Sequence, residues 1–290
     1  MPHRTYRSAA DFRRALEDRL QEIAKKEAVD LQRIRREVAF DRLLIRLFRG
    51  QQPQRLPWAL KGGYAMELRI QSARATKDID LTVRLAGSAD VANRALLQKL
   101  QEVAMVDIGD FFVYVIGEPI ADLDAAPYGG SRFPVEARLD GRAFVKFHLD
   151  AGVGDAVIEP LEEIKGRDWL QFAGIPNESI YMIPREQQFA EKLHAYTLPR
   201  PGAVNSRVRD LVDMVLLIRS DSLDQTKMVE ALQITFDRRK THSRPNVLSS
   251  PPADWERPFA ALTQECGLEI GLEDAFLALK SYLRTLPATG

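Results

Sequence analysis

The sequence predicts an α+β protein: a mixed sheet with flanking helices, followed by a C-terminal helical domain. Three observations carry this. Apolar residues recur at helical spacing over the first fifty residues, period-two alternation and tight-turn dipeptides dominate 58–149, and beyond Pro184 only helical patterns remain. The implied divisions are a helical lead-in over 1–50 packed on the next domain, an α/β domain over 51–183, and a helical domain over 184–290.

Ser8 followed by Asp11 forms a capping-box-like start, and Phe12, Leu16, Leu20 and Ile23 then repeat on one helix face. Asp30 opens a second helix, with Ile34, Val38, Leu44 and Leu47 periodic and Gly50 placed to close it. Trp58 to Leu60 is a short strand running into Gly62-Gly63 and a helix from Tyr64 to Ile70. From Asp78, the residues Asp78, Asp80, Thr82 and Arg84 alternate with Ile79, Leu81, Val83 and Leu85, the pattern of a half-buried strand. A helix follows over 90–105 and a β-branched, aromatic strand from Phe111 to Ile116. Phe133, Val135, Ala137 and Leu139, then Phe144 to Leu149, flank Asp140-Gly141, a hairpin signal. Helices are expected from Pro184 to Leu198 and over 205–219, 224–239, 255–265 and 272–285.

Composition narrows the function classes. With 45% hydrophobic and 28% charged residues in 290, the chain is an ordinary globular sequence, not a disordered or collagenous one. Lys and Arg total 41 and Asp and Glu total 41, so no net field draws it to nucleic acid or membrane, and any polyanion site is local. One cysteine, Cys266, excludes an intrachain disulfide and a four-cysteine zinc site. No signal-peptide-like run or membrane span is evident. A cytoplasmic location without membrane attachment is the expectation.

The sharpest motif is Gly62-Gly63 followed by Asp78-Ile79-Asp80. On a strand, positions i and i+2 share a face, so both carboxylates can converge on one divalent cation while Ile79 anchors the strand. Mg²⁺ takes hard oxygen ligands and is commonly held by one or two carboxylates together with substrate phosphates. Glycines without Cβ atoms let the backbone approach a phosphate at the start of the next helix. The bland reading is an acidic strand end beside a routine turn. In Val145–Asp150, Lys146, His148 and Asp150 share the face opposite Val145, Phe147 and Leu149, so Asp150 either completes a carboxylate cluster or merely ends a strand.

Lys192 lies among Phe189, Leu193 and Tyr196, and Arg207, Asp210 and Asp213 stand three apart in a polar stripe opposite Leu211, Met214 and Val215. Either feature faces a cleft or is a solvated helix surface. The histidines show no zinc spacing, and neither GxSxG nor a Walker A sequence occurs. Metal-assisted phosphoryl chemistry survives. Basic residues cluster at Arg33 to Arg36 and at Arg238-Arg239-Lys240 near Arg244, as solvated helix faces or as contacts for nucleic-acid phosphates.

In order, Lys61-Gly62-Gly63, Arg74-x-Thr76-x-Asp78-x-Asp80, Ala190-Glu-Lys192-Leu and Arg207-x-Arg209-Asp210-x-x-Asp213 resemble the AbiEii/MenT toxin nucleotidyltransferases of the DNA polymerase β-like superfamily, over residues 58–220. The resemblance implies a nucleotidyltransferase-type mixed sheet joined to a helical domain, with the NTP in the cleft between them. It implies that Asp78 and Asp80 bind Mg²⁺; from its place on the strand face, Asp150 is the candidate third ligand or the base that helps activate the attacking hydroxyl. Lys192 would contact the triphosphate, Asp213 would be an active-site acid, and Gly62, Gly63, Thr76, Arg207 and Asp210 would line the nucleotide site. Gly63 stands where many superfamily members carry serine, which leaves phosphate contact there to the backbone N–H. The implied activity is NMP transfer from an NTP to the 3′ end of tRNA, by a toxin with a cognate antitoxin. The alternatives are nucleotidyl transfer to a small molecule of aminoglycoside type or a protein side chain, and a non-catalytic RNA- or nucleotide-binding module.

Overall fold

The Ser8 hydroxyl accepts the Asp11 N–H and begins α1 (Ala9–Glu27), which buries Phe12, Leu16 and Leu20. The Asp30 carboxylate accepts the Arg33 N–H and begins α2 (Leu31–Phe48). Both side chains satisfy N–H groups that a helix start leaves unpaired. The computed structural model describes residues 6–84, 89–123, 126–220 and 222–287. The expected apolar position Leu85 and the histidine His3 lie outside the described residues.

The chain divides into two compact units. The first comprises the described residues of 1–60, 75–154 and 161–182, and the second those of 61–74, 155–160 and 183–290. Residues 61–74 group with the C-terminal helices, where Met66 and Ala73 join the buried core. The lead-in helices belong to the sheet unit.

The strands, which lie in the first unit apart from Lys61 at the end of β1, are β1 (Trp58–Lys61), β2 (Asp78–Val83), β3 (Val113–Ile116), β4 (Ala121–Asp122), β5 (Gly130–Leu139), β6 (Arg142–Val153), β7 (Glu162–Lys165) and β8 (Ser179–Met182). They form one sheet in the order β3-β5-β6-β2-β1-β8-β7, with β4 on β5. It is mixed: β2 runs parallel to β6 and β1 to β8, while β5–β6, β3–β5 and β7–β8 are antiparallel. Helix α2 packs along β6 and β8, and α4 (Ala89–Ala104) along β3 and β5.

Two departures from the sequence pattern have local causes. Phe111 adopts φ +61° and so stands outside β3. β7 and β8 are short, and β7 buries no residue fully, so neither offers a long alternation to read.

The second unit contains α3 (Gly62–Arg69), α5 (Arg185–Thr197), α6 (Val208–Arg219), α7 (Gln225–Arg239), α8 (Glu256–Glu265) and α9 (Leu272–Thr285). Its core joins Phe189, Leu193, Leu211, Met214, Phe236, Trp255 and Phe259. Helix α6 begins at Val208, later than expected, because the Arg207 N–H is donated to the Asn205 side chain and Arg207 stands at the cap.

Candidate active site

On the sheet, register decides which side chains meet. Parallel pairing sets Asp80 opposite Asp150 and Asp78 opposite His148, and antiparallel pairing sets Asp150 opposite Arg132. Cross-strand partners share a face, so Arg132, Asp150 and Asp80 form one row, with His148 and Asp78 in the next. The inward alternation of Ile79, Leu149 and Phe133, all fully buried, holds this polar set outward.

The carboxylates are engaged. Arg132 Nε and Nη2 donate to Asp150 Oδ1 and Oδ2 at 2.8 and 2.7 Å, and Nη2 lies 3.8 Å from Asp78 Oδ2. His148 Nδ1 is 3.1 Å from Asp78 Oδ1. Hydrogen bonding to Asp150, with the added charges of Asp78 and Asp80, raises the Arg132 pKa. Neither Arg132 nor the His148 contact belongs to a motif legible in the sequence.

The signal for Arg132 was present as a parity conflict. A two-residue turn at Asp140-Gly141 pairs Leu139 with Arg142, and an uninterrupted ladder would set Arg132 against apolar Leu149. The inward patterns of both strands require one extra residue. The structure supplies a β-bulge: Arg138 pairs with Ala143 and Ala137 with Val145, leaving Phe144 as the inserted position.

Among the described residues, no group of three acidic or histidine side chains is arranged to hold a metal ion alone. Asp78 and Asp80 nevertheless fit Mg²⁺, which needs only one or two carboxylates when substrate phosphates complete the shell. The Arg132 guanidinium places a positive charge 3.8 Å from Asp78 while it bonds Asp150. Thr76 is half-buried in the loop that enters β2.

In the helical unit, Lys192 of α5 and Asp213 of α6 face one another in the interior. Lys192 Nζ reaches Asp213 Oδ2 at 2.6 Å and Asp210 Oδ1 at 3.4 Å, and Arg74 Nη2 reaches the same Asp213 oxygen at 2.9 Å. Burial alone would raise the Asp213 carboxyl, but the charges of Lys192 and Arg74 outweigh it and hold the group below the usual carboxylate range. Burial works against the Lys192 ammonium, and Asp213 and Asp210 more than restore it, so it stays charged. Asp213 is fully buried rather than part of an exposed stripe, and among the described residues its Oδ1 has no hydrogen-bond partner. Asp210 bridges outward to Arg207, with Nη1 3.8 Å from Oδ2.

The glycine turn is braced within the same unit. Gly62 takes φ +69°, open to a residue without Cβ, and Gln188 Nε2 donates to its carbonyl at 2.7 Å. Arg69 in turn donates to the Gln188 side chain and to the Ile183 carbonyl. Lys61 pairs with Asp155 at 2.6 Å and Glu191 at 3.5 Å, and Arg239 binds the same two acids at 2.9 and 3.4 Å. Arg239 is therefore an internal ion-pair residue, a correction to its reading as part of an exposed basic cluster. Arg33 and Arg35 are likewise spent on Glu37 and Glu17. The basic lining instead belongs to Lys240, His242 and Arg244 around a cavity of about 730 Å³, and to Arg244, Lys280 and Arg284 around one of about 460 Å³.

The sheet thus carries Asp78 and Asp80 beside Asp150 on the neighbouring strand, and the helical unit holds the buried Lys192–Asp213 pair. Residues 42–277 match the family described as nucleotidyl transferase AbiEii toxin of type IV toxin–antitoxin systems, and the chain belongs to that family. Its fold is similar to that of MenT4, a nucleotidyltransferase toxin of Mycobacterium tuberculosis H37Rv. That match has TM-score 0.57 and 15% identity, covering 94% of this chain and 99% of the other. A weaker likeness, at TM-score 0.43 and 15% identity, is to JHP933 from Helicobacter pylori, covering 84% of this chain and 90% of the other. No curated protein sequence matches this one. Among the described residues, no helix is long and apolar enough to cross a membrane.

Proposed function

We propose that this nucleotidyltransferase is the toxin of a toxin–antitoxin pair that uses Mg²⁺ to transfer NMP from an NTP to the 3′ end of tRNA, blocking translation. The observation that carries the reading is the register of β2 and β6, which sets Asp80 beside Asp150 with Asp78 two residues away on the same face. Asp78 and Asp80 are the residues that would hold the cation. When bound there, Mg²⁺ supplies charge neutralisation and polarisation at the phosphates.

In the reaction, the acceptor 3′ oxygen forms a bond to the α-phosphorus, the α–β phosphoanhydride bond breaks, and pyrophosphate leaves with the bonding pair. The hydroxyl proton passes to a carboxylate of the Asp78–Asp80–Asp150 set or to water. Lys192 offsets triphosphate charge; Asp213, enclosed and bonded to Lys192, orients that ammonium and does not itself touch substrate. Gln188 and Lys61 fix the Gly62-Gly63 turn so that backbone N–H groups remain for phosphate. Arg207 and Asp210 border the nucleotide, and Thr76 faces its phosphates. Lys240 and Arg244, which line a cavity together with Asp237, favour a polyanionic acceptor over an aminoglycoside, which is itself cationic.

The test incubates the purified protein with Mg²⁺, each α-labelled NTP and total RNA, with Asp80→Asn as control. Label in tRNA-sized RNA with the wild type alone is the expected result. Label that enters only small molecules or protein, or transfer by Asp80→Asn at the wild-type rate, refutes the assignment.

A further inference from the structure

Arg132 occupies an unusual position for a cation. It ends the row Arg132–Asp150–Asp80 across three adjacent strands, on the face that carries Asp78. Both oxygens of Asp150 accept from it, at 2.8 and 2.7 Å, in a planar two-pronged geometry that is among the stronger ion-pair arrangements. Asp150 is 9% exposed, so releasing it from Arg132 would leave a nearly buried carboxylate uncompensated. The Arg132 side chain itself is 35% exposed, and the same Nη2 that donates to Asp150 lies 3.8 Å from Asp78.

We propose that Arg132 is a positioning residue of the cation site: a resident counter-cation that keeps Asp150 from serving as a metal ligand and weakens divalent-cation binding at Asp78 and Asp80 until nucleotide phosphates are present. The inference rests on the reading of Asp78 and Asp80 as the cation-binding pair. Its basis is charge. Three carboxylates and one guanidinium sum to −2, and a divalent ion arriving alone meets the attraction of the acids reduced by a fixed positive neighbour. A triphosphate arriving with the ion offsets that neighbour, so cation and nucleotide favour each other's binding. Asp150 then acts by anchoring Arg132.

The test is Mn²⁺ binding to the full chain without nucleotide, followed by the electron paramagnetic resonance of free Mn²⁺, so that no turnover is needed. Arg132→Gln takes the set to −3 and should tighten Mn²⁺ binding by about tenfold. Arg132→Lys keeps the charge and should bind as the wild type does. The double variant Arg132→Gln/Asp150→Asn removes the buried pair together and returns the set to −2, so it should bind within about threefold of wild type although Asp150 is gone. Unchanged or weaker binding by Arg132→Gln overturns the inference. So does a double variant as weak as Asp80→Asn, because Asp150 would then be a ligand. Should Arg132→Gln fail to fold, the double variant decides alone. Wild-type Mn²⁺ affinity in Asp80→Asn would instead overturn the underlying cation-site reading, a result distinct from the other two.

Discussion

Replacing Lys192 with methionine keeps most of the side-chain volume and removes one charge from the interior of the helical unit. Asp213 would then be fully buried with one oxygen lacking a partner and the other held by Arg74 alone, at 2.9 Å in place of a shared bond with Lys192 at 2.6 Å. Breaking a buried pair by removing one partner costs about 3–5 kcal/mol. The surviving Arg74 contact places this case at the low end, about 3 kcal/mol. With about 2–4 °C of melting temperature per kcal/mol for a chain of this size, the expected fall is about 6–12 °C. Calorimetry measures it directly. The double variant Lys192→Met/Asp213→Asn leaves the Arg74 guanidinium without this carboxylate, so it should stay destabilised but lose less than the two single variants summed, a coupling that independent sites would not show. NTP binding measured well below both transitions should fall in the single and double variants alike, since both lack the ammonium. A single variant that melts within about 1 °C of wild type would mean that the Lys192–Asp213 pair carries no buried charge, and the reasoning would fail.

Three further outcomes are expected. Lys240→Ala with Arg244→Ala should lower the salt dependence of RNA binding, reducing the slope of log K against log salt by roughly 1.5–2, and an unchanged slope removes these residues from the acceptor path. Burial, with the Arg239 charge and His242 adding to it, pushes the His194 imidazole down to about 3, and its Nε2 lies 2.8 Å from the Thr241 hydroxyl. Its folded pKa lies below the unfolded value near 6.5, so its contribution to stability is complete above about pH 6.5 and is lost as pH falls toward about 3. Melting curves of His194→Asn should therefore decline less than those of wild type between pH 6.5 and 4.5; parallel declines would contradict this. Gly166→Ala would drive a Cβ into the carboxylate of Asp41, which is 2% exposed and accepts the Trp169 indole N–H at 3.0 Å. A loss of about 1–3 kcal/mol in a denaturant titration is expected, and a neutral result would show that the loop yields.

The sequence by itself determined much of this protein, because the relevant signals are local. Ser8 and Asp30 announce helix starts through bonds to their own third neighbours, and Asp78-Ile79-Asp80 places two carboxylates on one face by strand geometry alone. The ordered motifs from Gly62 to Asp213 carry the family. Tertiary structure decided what depends on partners far along the chain. Asp213 reads as one member of a polar stripe, yet it is fully buried, because Lys192 and Arg74, 21 and 139 residues away, neutralise it. Arg239 reads as part of an exposed basic run, but Asp155 and Glu191 draw it inward. Arg132 carries no motif at all. Its place beside Asp150 depends on the single residue inserted at Phe144, since shifting a strand by one position exchanges its two faces. Turn chemistry near Asp140-Gly141 sets one register and apolar burial across β5 and β6 demands the other. Only the packed sheet, where burying Phe133, Val135 and Phe147 outweighs an uninterrupted ladder, settles which side chains meet the carboxylates.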